Sequence, residues 1–155
     1  MLKPEYLKFD EINIEELLVL LNKSKIRQHL VKHEVFDTES ANLWIQDKIK
    51  INELKGCKLR GVYINGALVG WCGIQLEKDN YELAIVIDDT VWGLGIEIFR
   101  DLMTWAQELG HKEVFIHLLH TRPEYRFLRK IAKSVFTTEL YGNKFTTYQL
   151  RVNQA

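Results

Sequence analysis

The residues best placed to do chemistry in this chain are Val91-Trp92-Gly93-Leu94-Gly95-Ile96-Glu97. They follow an apolar run, Leu83-Ala84-Ile85-Val86-Ile87, and open a helical pattern that lasts to Gly110. A strand, a glycine turn and a helix N-terminus together gather backbone N–H groups that hold an anion. Gly93 and Gly95 carry no Cβ, so the backbone there can approach phosphates closely. A short G-x-G alone is equally an ordinary strand–helix turn. Three other groups can be weighed beside it. His29 and His33 stand one helical turn apart, a spacing that suits two metal ligands, yet no glutamate follows His29 and no third ligand is evident. No metal site is expected. Arg126, Arg129, Lys130 and Lys133 read as the solvated face of a basic helix. Cys72, on an apolar strand, reads as a small core residue rather than a nucleophile.

The elements that must position the glycine segment follow from periodicity. A short strand is expected near Tyr6–Phe9. Ile14, Leu17, Leu18 and Leu21 fall at helical spacing behind Asn13, which forms a capping-box pattern with Glu16. A short helix is predicted around Ile26–Val31. Asp37 or Thr38 then caps a helix with Ala41, Trp44, Ile45 and Ile49 on one face, ended by Gly56. From Lys58 the period changes to that of strands. Lys58–Ile64 and Leu68–Leu76 flank Asn65-Gly66, a two-residue hairpin signal, and Lys78-Asp79-Asn80 turns into the Tyr81–Ile87 strand. The helix after the glycines buries Phe99, Leu102, Met103, Ala106 and Leu109 and is capped by Gly110. Val114–Leu119 is a further strand, Glu124–Lys133 a basic helix, and two last strands flank Gly142-Asn143. The strand–helix–strand unit over Tyr81–Leu119 should set its strands parallel.

That order of elements resembles the GCN5-related N-acetyltransferase (GNAT) superfamily over nearly the whole chain. Lys25-Ile26-Arg27-Gln28-His29-Leu30, Phe36-Asp37-Thr38-Glu39 and Trp44-Ile45 look like the N-terminal helices of its ribosomal-protein-acetylating branch. Leu68-Val69-Gly70-Trp71-Cys72-Gly73-Ile74 is similar to the family's x-V-G-x-x-G-h strand, and Phe136 through Leu150 to its closing hairpin. The family's loop is commonly Q/R-x-x-G-x-G/A. Trp92 to Glu97 occupy those positions here, with Gly95 kept, Trp92 in place of the polar residue and Glu97 in place of the small one. The tyrosine that many relatives carry on the last helix is absent, for Phe127, Leu128 and Ile131 stand there.

The resemblance implies an α/β (α+β) fold of GNAT type, a mixed central sheet of about seven strands flanked by helices. It implies one acetyltransferase domain over residues 1–155, using acetyl-CoA as acyl donor and no metal. The acceptor is a primary amine, of a small molecule or of a peptide or protein. The cofactor would lie along Ile85, Val86 and Ile87, with its pyrophosphate on Trp92, Gly93, Leu94, Gly95, Ile96 and Glu97. Thr121 and Arg122 would meet its pantetheine arm and phosphates. A carboxylate at Glu97 repels a pyrophosphate if it faces the ligand, so it should point to solvent or to Arg100. Glu82 is the general-base candidate, against a bland reading as a solvent-facing partner of a lysine. Tyr125 and Tyr141 are the phenols near enough to serve as acid, and His120 a candidate proton shuttle; each has a bland reading as a turn or strand-end residue. Trp44, Trp71 and Trp105 supply core, with Trp71 also able to line the acceptor pocket. The departures at Trp92, Glu97 and the missing tyrosine keep a second reading open: a catalytically weak acyl-CoA-binding or protein-interaction module.

Composition narrows the classes further. The 155 residues balance 21 Lys plus Arg against 21 Asp plus Glu, so the basic excess of a nucleic-acid binder is missing. Two cysteines are too few for a disulfide framework and read as reduced thiols of a cytoplasmic protein. Met1-Leu2-Lys3-Pro4-Glu5 opens no apolar h-region, so secretion is not expected, and no uninterrupted apolar run approaches the length of a membrane span. The family also allows a homodimer through edge strands.

Overall fold

A computed structural model describes residues 3–23, 35–88, 93–121 and 125–153. The helix expected at Ile26–Val31, with His29 and His33, lies outside the described residues, as do Trp92, Arg122 and Glu124.

Among the described residues, seven strands form one mixed sheet in the order β1-β2-β3-β4-β5-β7-β6. They are β1 (Glu5–Leu7), β2 (Lys58–Ile64), β3 (Ala67–Glu77), β4 (Asn80–Ile87), β5 (Glu113–Leu119), β6 (Ser134–Leu140) and β7 (Asn143–Arg151). Among the described residues the α-helices are α1 (Ile14–Leu21), α2 (Thr38–Glu53), α3 (Leu94–Glu108) and α4 (Arg126–Ile131). All neighbouring strands are antiparallel except β4 and β5, which are parallel as the strand–helix–strand pattern requires.

Local chemistry sets the boundaries. Asn13 caps α1 by accepting from the N–H groups of Glu15 at 2.8 Å and Glu16 at 3.1 Å. The return bond of a capping box is not made, because the Glu16 carboxylate reaches the Leu68 N–H on β3 instead. Asp37 caps α2 in a reciprocal box with Ser40. Asn65 (φ 49°) and Gly66 (φ 81°) turn β2 into β3, as the Asn-Gly pair predicts. A bulge beside Val62 and Tyr63 leaves Val69 without a partner on β2. That extra residue reverses the phase of β3, so Val69 joins Cys72 and Ile74 on one face while Trp71 points to the other.

The two faces bury separate cores. On one, Ile98, Phe99, Leu102 and Trp105 of α3 pack on Ile74, Leu83, Val114, Ile116, Tyr148 and Leu150. On the other, Leu17, Leu20 and Leu21 of α1 and Ile45 of α2 pack on Leu59, Tyr63, Trp71 and Val86. Cys57 and Cys72 are buried free thiols. Among the described residues no helix is long and apolar enough to cross a membrane.

Three sequence expectations are corrected. Phe9 lies in a 3-10 turn (Phe9–Glu11) instead of extending β1. Leu109 is 39% exposed, because α3 ends at Glu108 and Leu109 is its C-cap. The last hairpin turns on Tyr141-Gly142 rather than Gly142-Asn143, since Leu140 pairs with Asn143 and Tyr141 (φ 51°) and Gly142 (φ 76°) take the left-handed positions.

Candidate active site

The sheet parts between β4 and β5. β3 follows β4 from Gly70–Ile87 to Glu77–Asn80, and β7 follows the whole of β5, but β4 meets β5 only at Glu82–Phe115. The Asp88 N–H bonds the Val69 carbonyl at 2.7 Å. Backbone groups alternate between the two edges of a strand, so those of Ile85 and Ile87 turn away from β3 toward the gap. A cavity of about 540 Å³ fills this wedge. Ala84, Ile85 and Val86 form its β4 wall; Ile116, His117 and Leu118 form its β5 wall; Gly95, Ile96 and Phe99 of α3 close one end. Trp44 and Lys48 of α2 with Trp71 and Gln75 of β3 line the other.

At the α3 end, Gly93 is the N-cap in the left-handed region (φ 80°), which a residue with a Cβ enters at a cost. α1 and α2 begin on side-chain caps, whereas α3 has none, so its first-turn N–H groups keep their capacity for an anion. Among the described residues, a Cβ built on Gly93 or Gly95 would meet nothing within 4 Å. Glu97 is not on the cavity wall. It lies on the side of α3 facing Tyr6, whose phenol is held well above its usual range by burial first, then by its bond to Asp101, with Glu97 adding to the effect. Of the remaining cofactor positions, Ile87 offers backbone only and Thr121 is exposed and off the wall.

A line of polar side chains crosses the cavity floor where the strands part. Lys48 Nζ donates to Gln75 Oε1 at 3.3 Å, and Gln75 Nε2 donates to Glu82 Oε1 at 2.6 Å. Glu82 Oε2 lies 3.9 Å from His117 Nε2. His117 Nδ1 is 2.7 Å from the Thr147 hydroxyl, which donates to Thr138 at 2.7 Å. The bond between Nδ1 and the Thr147 hydroxyl orients the ring so that its Nε2 faces Glu82. Burial raises the Glu82 carboxyl above its ordinary range, opposed by the Gln75 bond and by Lys48 and reinforced by Glu77. Burial lowers the His117 imidazole. The pair is thus a carboxyl of raised proton affinity beside an imidazole of lowered proton affinity.

Glu82 is accordingly in the cavity, at the one point where β4 and β5 touch. Tyr141 reaches the mouth from its hairpin and donates to Glu77 Oε1 at 2.9 Å, a bond that raises its phenol above the usual range. Tyr125 lines the wall from the start of α4. His120 is exposed, its ring on the Lys144 carbonyl at 3.1 Å, and it does not line the cavity. His117, three residues earlier, is the histidine inside. Sequence reasoning missed it, although a histidine alternating with apolar residues in Val114-Phe115-Ile116-His117-Leu118 signals a polar group on a buried face. Lys48 was missed as well; it follows Trp44 by one helical turn, on the same flank of α2.

No family model and no curated protein sequence matches the chain. Solved structures do. A ribosomal L7/L12 alpha-N-protein acetyltransferase (RimL), in complex with coenzyme A, superposes with a TM-score of 0.77 at 17% identity, over 98% of this chain and 96% of that one. The microcin C7 self-immunity acetyltransferase MccE, in complex with acetyl-CoA and AMP, gives 0.71 at 14% identity, over 97% and 93%. An acetyltransferase of the GNAT family from Streptococcus pneumoniae gives 0.69 at 14%, over 99% and 100%. From one end to the other, this chain has the fold of the GNAT acetyltransferases.

Proposed function

We propose that this protein is an acyl-CoA-dependent N-acetyltransferase that passes the acetyl group of acetyl-CoA directly to a primary amine. The observation that carries the proposal is the gap between β4 and β5. It offers the unpaired backbone edge of Ile85 and Ile87 to an amide-bearing arm, and at its end the uncapped first turn of α3 to a pyrophosphate. The neighbours solved with coenzyme A or acetyl-CoA share this fold.

Within that reading the polar line does the proton work. Glu82 accepts a proton from the acceptor ammonium, a task that suits a carboxyl raised above its ordinary range. The freed amine attacks the thioester carbonyl, the C–N bond forms and the C–S bond breaks; the nitrogen sheds its second proton, so that one proton goes to solvent and the other to the departing thiolate. His117, fixed by Thr147, can relay that proton through Nε2. Tyr141 is a weaker acid than an ordinary phenol because its proton is held by Glu77, so Glu82 and His117 are the better donors. Positioning of amine and thioester supplies much of the rate.

Calorimetric titration with acetyl-CoA, followed by a thiol-release assay over small amines and peptides, tests the proposal. Binding with turnover is the expected result. Binding without turnover on any amine assigns the chain to the binding-module reading, and absence of binding overturns both.

A further inference from the structure

The cavity contains an amine of its own. Lys48 Nζ lies 4.5 Å from the centre of the Trp71 ring and 5.2 Å from that of Trp44, at the end of the cavity away from α3. Trp71 pairs across the sheet with Val86, so the amine stands over the segment of β4 that borders the gap. Among the described residues no carboxylate lies within ion-pairing distance of it; its polar contact is the Gln75 amide oxygen. The other lysines with defined partners are elsewhere: Lys23 is paired with Asp88, Lys133 with Glu113, and Lys58 sits over Trp105.

We infer that Lys48 is a self-acetylation site: with no acceptor present, its Nζ takes the acetyl group from bound acetyl-CoA, and the acetylated side chain fills the acceptor end of the cavity. The inference rests on the proposed acetyltransferase activity. The geometry supplies an amine inside the cavity, joined to the proposed base Glu82 through the single residue Gln75. Burial also lowers the ammonium's proton affinity, against the opposing charges of Asp47 on its own helix, Glu82 on β4 and Glu77 on β3. Lys48 loses a proton toward Glu82 and attacks the thioester carbon. The new C–N bond replaces the C–S bond, and the thiolate leaves as the thiol with the proton that Lys48 gave up. Ammonium and thioester become amide and thiol, the second proton of the ammonium goes to solvent, and no other reactant is needed. An acetylated Lys48 has lost the charge that held it against the two indoles and occupies space an acceptor needs.

The test is to incubate the whole protein with acetyl-CoA and no acceptor, and to follow acetyl occupancy at each lysine by peptide mass spectrometry. Lys48 is expected to be modified at least about tenfold faster than exposed Lys55, Lys78 and Lys130. Its rate constant should not depend on protein concentration, as for an intramolecular step, and Glu82→Gln should slow it at least about tenfold. Amine turnover should fall in proportion to Lys48 occupancy. If calorimetry shows that acetyl-CoA binds while Lys48 labels no faster than the exposed lysines, the inference is overturned and the proposed function stands. If acetyl-CoA does not bind at all, both fall.

Discussion

Replacing Gly95 with aspartate should move stability and ligand affinity in opposite directions. Gly95 is the second residue of α3, is exposed, does not require a positive φ, and has no atom within 4 Å of where its Cβ would stand. The new side chain therefore enters without strain. Glycine in a helix costs about 1 kcal/mol relative to alanine and aspartate about 0.7 kcal/mol, and an acid in the first turn gains about 0.3–1 kcal/mol from the helix dipole. The sum is a stabilisation of about 0.5–1.5 kcal/mol, or a rise in Tm of roughly 2–5 °C for a chain of this size. The same carboxylate faces the position proposed for the pyrophosphate. Two like charges about 4 Å apart repel by about 1 kcal/mol in water and about 4 kcal/mol at the effective dielectric of a protein surface. For this half-open site about 1–3 kcal/mol is expected, which weakens acetyl-CoA binding about 5- to 150-fold. Thermal unfolding and calorimetric titration read the two effects, and Gly95→Asn keeps the shape without the charge. A Gly95→Asp protein that bound acetyl-CoA as tightly as the Asn variant would refute the placement of the phosphates at α3.

Four further outcomes follow from the site and the core. Glu82→Gln keeps an acceptor oxygen for Gln75 but cannot take a proton, so kcat should fall about 10²- to 10⁴-fold with acetyl-CoA affinity unchanged, as steady-state kinetics and calorimetry will show. The same variant has a pH signature in unfolding experiments. Because burial raises the Glu82 carboxyl in the folded state, the wild-type stability tied to its proton is present below the unfolded value of about 4.3 and lost as pH rises through the higher folded value; Glu82→Gln should therefore gain on the wild type from acid to neutral pH. Asn13→Ala removes the cap of α1 and should cost about 1 kcal/mol in denaturant unfolding, with acetyl-CoA binding untouched. Leu102→Ala, at a side chain fully buried between α3 and the sheet, should cost about 2–5 kcal/mol.

The order of elements was legible because each boundary carries its own chemistry: Asn13 and Asp37 cap helices, Asn65-Gly66 turns a hairpin, and Gly93 starts α3. The errors fall where a neighbouring residue competed for the same job. Tyr141 took the left-handed position that Asn143 was expected to hold, because its hydroxyl gains the Glu77 carboxylate across the cavity mouth. Leu109 has the right spacing for a buried face but comes after the last helical residue. The site was half legible. Glu82 could be placed from its strand, since it precedes the apolar run leading into the glycines. His117 and Lys48 could not, because their importance depends on the register Glu82–Phe115 and on which flank of α2 meets β3. Neither is written in the local period of the chain.

The lone pairing of Glu82 with Phe115 also makes the sheet two panels, β1 to β4 and β5 with β7 and β6, joined at one rivet and backed by the apolar face of α3. On the proposed function, a chain-like donor lodged in the gap serves as the missing strand between them. Its binding at about 100 times Kd would add about 2.7 kcal/mol to a state that otherwise leans on one helix for cohesion. Hydrogen exchange should then slow most along the facing edges of β4 and β5, and little along β2. The protein's resistance to unfolding, and with it its lifetime among proteases, becomes a readout of how much acyl donor surrounds it.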